Sequence, residues 1–512
     1  MNTTLKNTEK SQVELYQLPE GWVITHLGNI IEISKEKVDP KICSESVYIG
    51  LENIERDTGE LISIGNSKSV KSTKARFQPG EILYGRLRPY LNKIWLANCE
   101  GICSTDILVF LKNDYIDNKF IFYRFLSKDF VNYSTLNSKG VELPRVNYQT
   151  ISKFAIPLPP LPEQYRIVEK IEEEFTRLNA GVSALKKAKA LIPKYRQSVL
   201  KAAMCGDLTK EWRAEHPDVE SAEVLVERIK SEITVESKSK IKFDQEFEDL
   251  ITIPNTWQYI KIGNIALVDT GTTPARKNNN YWKNGTIPWA TSGLLNEDYI
   301  YNTEEFVTEF ALKETRLKIF PKGTLLIALY GEGKTRGKCS ELMIESTINQ
   351  ACASLQFINS GENVKGFVKW FLIKNYYDIR KISSGGVQPN LNLTKIKSIS
   401  LPLPPLPEQH EIVCEIERRF SVIDQMEKAV DDSLVKAERL RQSILKKAFE
   451  GRLVPQNPDD EPASVLLERI QAEKEQRAAE EKARKKDLRE LKKQKKEKKE
   501  KREKRELAAK KT

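Results

Sequence analysis

Residues 328–335, ALYGEGKT, close the apolar run GTLLIALY, and a strand leading into a glycine-rich turn with Lys-Thr is the layout of a phosphate-binding loop. Such a loop wraps a triphosphate with backbone N–H groups and one lysine, so nucleotide use is the first chemistry to weigh. Two features count against it. Ala328 stands where the tight turn needs glycine, and RGKCSEL (336–342) does not read as the helix whose N-terminus would face the phosphates. Other residues able to do chemistry are sparse. His26, His216 and His410 are isolated in the sequence. The seven cysteines, Cys43, Cys99, Cys103, Cys205, Cys339, Cys352 and Cys414, are odd in number and scattered. Cys99 and Cys103 lie four apart, but no second pair or nearby histidine completes a zinc site.

The elements that must position any site come next. At 512 residues the chain can bury more than one core. No stretch approaches ~18 consecutive apolar residues, and the polar start MNTTLKNTEK lacks the apolar core of a signal peptide, so the expected location is the cytoplasm, with no membrane partner. The formal charge of +11 is uneven. Residues 477–512 hold 18 Lys and Arg against 8 Asp and Glu, which accounts for +10 of it. The body is therefore about neutral, and DNA binding by the body must rest on local patches.

The chain is written twice. PLPPLPEQYRIVEKIEEEF begins at Pro157 and PLPPLPEQHEIVCEIERRF at Pro402, an offset of 245 that holds without gaps through RQSVLKAAMCGDL and RQSILKKAFEGRL. Upstream, LPEGWVITHLGNI at Leu18 answers IPNTWQYIKIGNI at Ile253; downstream, HPDVESAEVLVERI at His216 answers NPDDEPASVLLERI at Asn457. His410 is Tyr165 in the other copy, which argues against a general base there. The repeat divides the chain into globular segments at 15–156 and 250–401, spacer helices at 157–208 and 402–453, a short helix with linker at 209–249, a short amphipathic helix at 454–475 and a basic tail at 476–512.

Runs such as EILYG, DILVF and SLQF beside helical stretches such as NKFIFYRFLSKDF predict an α+β fold for each globular segment. The proline run predicts an extended exit into each long helix. Along the helices, Ile171, Phe175, Leu178, Val182, Leu185 and Ile192 match Ile416, Phe420, Ile423, Val430 and Ala437 in a heptad seam. Two helices of ~45 residues, each ~65 Å long, bury those seams most economically against one another. Antiparallel packing would relate the halves by a pseudo-twofold axis and put the globular domains at opposite ends of a rod. Pro193 predicts a kink or interruption near the end of the first helix.

The repeat also bears on the Gly-Lys-Thr loop. LYGEGKTRGK is answered in the first half by LYGRLRPYLNK from Leu83, which has no Gly-Lys-Thr. The shared element is a strand ending in Leu-Tyr-Gly before a basic loop, suited to the phosphates of DNA.

Proline hinge, heptad helix, RQSVLKAAMCGDLTKEWR and a second copy with a different globular domain together resemble the DNA-specificity subunit of type I restriction-modification systems, over roughly residues 15–455. Also similar to that family's target-recognition domains are TGTTPARKNNNYWKNGTIPWATSG (270–293), GRLRPYLNK (85–93), GGVQPNLN (385–392) and GVELPRVN (140–147). The resemblance implies two target-recognition domains separated by antiparallel coiled-coil helices, each domain binding one half of a split target in double-stranded DNA while the helices set the gap. It implies no catalysis and no cofactor in this chain. Two modification subunits would supply adenine methylation with S-adenosylmethionine, and two restriction subunits would supply translocation and cleavage with ATP and Mg2+. By omission the sequence agrees, for it contains no Asn-Pro-Pro-Tyr-type methylation motif.

For DNA contacts the candidates in the first domain are Arg86, Arg88, Tyr90, Asn92, Lys93 and Arg145. In the second they are Thr273, Arg276, Lys277, Lys334, Arg336, Lys338 and Gln388. Arginine, asparagine and glutamine grip base edges bidentately, whereas lysines mostly hold phosphates; the bland reading of each is a solvated loop charge. Trp22, Trp257, Trp282 and Trp289 read as core anchors rather than stacking platforms. Two rival classes remain, a coiled-coil adaptor binding protein at both ends and a nucleotide-using enzyme.

Overall fold

The computed structural model describes residues 18–41, 46–232, 251–330, 334–357, 364–382, 390–477 and 479–480. It divides into two compact units, Met1–Leu185 with Asp432–Thr512 and Lys186–Asp431, the division falling inside both long helices. Each unit is α+β.

In the first unit, Ile82–Gly85 lies between Ile94–Leu96 and Ile107–Phe110 in an antiparallel sheet. A second, five-stranded sheet runs in the order Lys37–Val38, Lys74–Phe77, Gly101–Cys103, Val47–Ile49, Gly65–Asn66. Helices Asn118–Leu126 and Lys128–Leu136 supply an aromatic core in which Phe125 stacks on Phe130 at 4.2 Å between ring centroids. The second unit has a five-stranded sheet in the order Ala266–Thr270, Cys352–Phe357, Leu325–Ala328, Cys339–Leu342, Tyr299–Ile300 and a three-stranded one centred on Ile287–Ala290. Helix Lys365–Lys374 covers the larger sheet with Phe367, Val368 and Phe371 buried.

The proline run does more than direct an exit. Ala155–Leu158 pairs antiparallel with Val23–His26, Pro157 facing Ile24, and Ser400–Leu403 pairs with Gln258–Lys261, Pro402 facing Tyr259. Two-stranded ladders leave Pro an open edge, so its missing N–H breaks no bond. Each globular domain is thereby closed at its base by the start and end of its own segment.

The Glu-Gln that follows is buried. Glu163 accepts from Trp22 Nε1 at 2.9 Å, and Gln164 donates from Nε2 to the Pro159 carbonyl at 3.0 Å; Glu408 accepts from Trp257 Nε1 at 2.9 Å, and Gln409 donates to the Pro404 carbonyl at 2.7 Å. Trp22, Trp257 and Trp289 are core anchors as expected, and Trp282 is half-buried.

The spacer helices run Leu161–Met204 and Leu406–Phe449, and the helix is not interrupted at Pro193. That corrects the expectation of an interruption. Pro193 is exposed, so the carbonyl that loses its i+4 donor faces solvent and the loss is tolerated. In the second unit the helices run antiparallel, Lys189 Nζ lying 2.5 Å from Asp431 Oδ1 while seven residues onward Arg196 reaches Asp424, seven residues back. In the first unit Arg441 bonds Asn179 and lies over the Phe175 ring at 4.5 Å. Ile171, Phe175, Ile192, Ile416 and Ile423 of the seam are buried, and Leu178, Val182, Leu185, Phe420, Val430 and Ala437 are half-buried.

Each domain is completed by the end of the other repeat. The core of the first contains Leu445, Ala448, Phe449, Ala463, Leu466 and Ile470. The second contains Leu200, Ala203, Met204, Leu225, Val226 and Ile229.

Candidate nucleic-acid interface

In the first domain the strand Ile82–Gly85 is wholly buried, and its last residue must be small because a Cβ on Gly85 would meet Leu51 Cδ2 at 2.6 Å. The chain then turns outward as Arg86-Leu87-Arg88. Three backbone bonds stitch this turn to residues 144–146 and to Asp106: Arg86 N to the Asp106 carbonyl at 2.9 Å, Val146 N to the Arg86 carbonyl at 3.0 Å and Arg88 N to the Pro144 carbonyl at 2.7 Å. Loops far apart in sequence thus become one surface.

That surface brings together Arg86, Arg88 and Arg145. Asp106 Oδ1 accepts from Arg86 Nε at 3.2 Å and from Arg145 Nε at 3.1 Å, and its Oδ2 from Arg145 Nη2 at 3.4 Å. The Arg145 bonds, with those of Arg86, outweigh partial burial and hold the Asp106 carboxyl below its ordinary range. Arg88 and Tyr90 are exposed, Arg88 in the left-handed region at φ 51°.

Asn92 is a correction. It is 1% exposed, and its Nδ2 donates to the Phe125 carbonyl at 3.1 Å. At φ 38° it closes a 3-10 turn, a place where asparagine tolerates left-handed backbone, so its work is structural. Lys93 is also drawn inward, its Nζ donating to the Leu51 carbonyl at 2.6 Å.

In the second domain Gly271 packs so tightly that a Cβ would lie 1.9 Å from the Ile348 carbonyl oxygen. Thr273 follows, half-buried. Arg276 is exposed yet fixed: it makes two hydrogen bonds to Glu305 and lies 4.1 Å from the Trp282 ring centroid and 4.7 Å from that of Trp289. Lys277 beside it is exposed. The other candidates lie in a hairpin. Leu325–Ala328 and Cys339–Leu342 pair antiparallel around a loop in which Lys334 is exposed, Arg336 is half-buried and Lys338 Nζ donates to Asn296 Oδ1 at 2.9 Å. Gln388 and residues 331–333 lie outside the described residues, as do residues 481–512.

The hairpin answers the nucleotide question. A phosphate-binding loop opens directly into a helix, whereas here Lys-Thr leads into the strand Cys339–Leu342. Lys334→Ala with Thr335→Ala is therefore expected to leave the ATP dependence of an assembled complex unchanged. Micromolar ATP binding by the isolated chain, lost in the double variant, would overturn that.

Sequence reasoning missed Asp106 and Glu305, the two carboxylates that hold the arginines. Neither carboxylate lies in a motif or a repeat match that would have marked it in the sequence.

Among known proteins, the family model described as type I restriction modification DNA specificity domain matches twice, at residues 19–185 and 254–430. The chain belongs to this family. It is a type I restriction-modification specificity subunit with DNA-recognition domains. Relatives span nearly the whole chain. The type I restriction enzyme EcoDI specificity subunit of Escherichia coli is 26% identical over 491 residues, covering 92% of this chain and 99% of that one. The StySPI specificity subunit of Salmonella potsdam is 24% identical over 498 residues, with the same shares covered. In fold the specificity subunit is similar to a chain from a structure of a type I R-M system, solved for complex assembly and conformational transition, with a TM-score of 0.65 at 22% identity over 85% of this chain and all of that one. It is also similar to the HsdS subunit from Thermoanaerobacter tengcongensis, with a TM-score of 0.54 at 20% identity over 86% and 99%. No described helix of the specificity subunit is long and apolar enough to cross a membrane.

Proposed function

We propose that this specificity subunit acts without catalysis of its own, each recognition domain reading one half of a bipartite target while the spacer helices set the unread gap. The observation that carries the reading is duplication with difference. Two units share the base ladder, the Trp–Glu contact and the spacer-helix ends, yet they present arginines on unrelated surfaces, one held by Asp106 and the other by Glu305 and two tryptophans. A common frame with divergent reading surfaces suits a protein that must read two different half-sites. In this reading two modification subunits bring S-adenosylmethionine for adenine methylation, two restriction subunits bring ATP and Mg2+ for translocation and cleavage, and the complex works on double-stranded DNA in the cytoplasm.

The gap can be tested by lengthening the helices. Four residues inserted after Leu185 and four after Val435, positions opposed in the Asn179–Arg441 register, add ~6 Å to each helix, about two base pairs of rise, and turn it ~40° beyond one full turn. A four-residue insertion is also one that a heptad seam absorbs by local unwinding. Methylome sequencing of cells carrying the variant complex is expected to show both half-sites unchanged and the gap longer by at least one base pair. An active complex that methylates the original spacing would overturn the ruler.

A further inference from the structure

Arg86 is held through its backbone and by a single bond from its side chain. Its N–H donates to the Asp106 carbonyl and its carbonyl accepts from Val146 N, so its backbone is fixed on both sides. Its Nε donates to Asp106 Oδ1, which orients the side chain but leaves the terminal Nη pair for another acceptor. Arg145 is used differently. Its Nε and Nη2 form a fork on the two oxygens of Asp106, and its backbone pairs with Lys139 in both directions. Arg145 thus braces the carboxylate, and the carboxylate aims Arg86. The side chain of Arg86 remains 36% exposed, so the aimed group can be reached.

A paired Nη edge, fixed in direction, matches two acceptors side by side. In the major groove that pattern belongs to guanine O6 and N7. Phosphate can accept the same pair of groups, but the charge of Asp106 lowers the attraction of the cluster for phosphate and so favours a base edge. We propose that Arg86, oriented by Asp106 and braced by Arg145, reads a guanine in the half-site of the first domain. The proposal rests on the DNA-reading function above and names one residue that performs it. Asp106 is then a positioning residue.

The test compares methylomes of cells carrying the complete system with the wild-type chain, Asp106→Asn or Arg86→Lys. The half-site of the first domain is the half that stays when residues 250–401 are exchanged, and it is expected to contain a G·C pair. Asp106→Asn keeps the shape of the side chain, whose carboxylate bonds Arg86 and Arg145; Arg86→Lys keeps the charge and removes the fork. Each is expected to relax the motif at that G·C position by about 10- to 100-fold, leaving the other half unchanged. In binding assays Asp106→Asn is also expected to steepen the salt dependence by about one ion, because a carboxylate has left the DNA face. A purely structural defect would lower methylation at the wild-type motif without changing which base is accepted. The proposal is overturned if that half-site lacks G·C, or if either active variant keeps the wild-type motif or only methylates it less. The absence of any bipartite motif dependent on the wild-type chain would instead overturn the DNA-reading function itself.

Discussion

Exchanging residues 250–401 for the equivalent domain of a relative is expected to replace one half of the methylated motif and leave the other half intact. The graft is physically reasonable because the described start of the segment and its end meet in one base ladder, Gln258–Lys261 against Ser400–Leu403. A donor must supply a tryptophan at the place of Trp257, since its Nε1 meets Glu408 in the recipient. It must also present an apolar base to Leu200, Met204 and Leu225. With ~1–3 kcal/mol at stake for each base pair read, a new reading surface changes half-site preference by many orders of magnitude. Methylome sequencing reports the result, and a single exchange that altered both halves would sink the modular reading.

Glu408→Ala is expected to cost the second unit about 3–5 kcal/mol in urea unfolding followed by tryptophan fluorescence at pH 7. Glu408 is 1% exposed and accepts from Trp257 Nε1, from Thr209 Oγ1 at 2.8 Å and from Arg213. Truncation strands a buried indole N–H, a buried hydroxyl and a cation together. Its repeat partner behaves differently. Among the described residues Glu163 accepts from Trp22 and Gln456, with Arg166 nearby but itself bonded to Asp460 at 2.6 Å. Burial raises the Glu163 carboxyl above its ordinary value of 4.5 despite the bond from Trp22. The folded protein then holds the proton longer than the unfolded chain, so stability from this group falls as pH rises from the ordinary value through the raised one. At pH 7 the charged form carries that cost in full. Glu163→Gln, which keeps an acceptor for Trp22 and removes the charge, is expected to fall within about 1 kcal/mol of the native protein and to flatten the pH dependence just above the ordinary carboxylate range. Equal losses for Glu408→Ala and Glu163→Gln would show that this account of the two contacts is wrong.

The two stretches PLPPLPEQ, the seam of Ile171, Phe175, Ile416 and Ile423, and the paired tryptophans made the duplicated frame legible before any coordinates, because each depends on local periodicity or on a motif seen twice. Family membership was legible for the same reason. Other features were decided only by tertiary structure. That Pro157 sits in a strand opposite Ile24 depends on a partner more than a hundred residues away. Likewise, Ile470 packs on the first domain and Ile229 on the second, although the repeat permits each short helix to stay with its own half; two similar apolar surfaces cannot say which helix end they will bury. The candidate DNA-facing surface was the least legible part. Asn92 has the composition of a base reader and is buried under Phe125, and Arg86 and Arg145 look like two equal loop cations until Asp106 is placed between them. Residue type determines what a side chain can bond, but burial and the carboxylate that reaches it first are set by loops closing over a core, and those distances have no period in the chain.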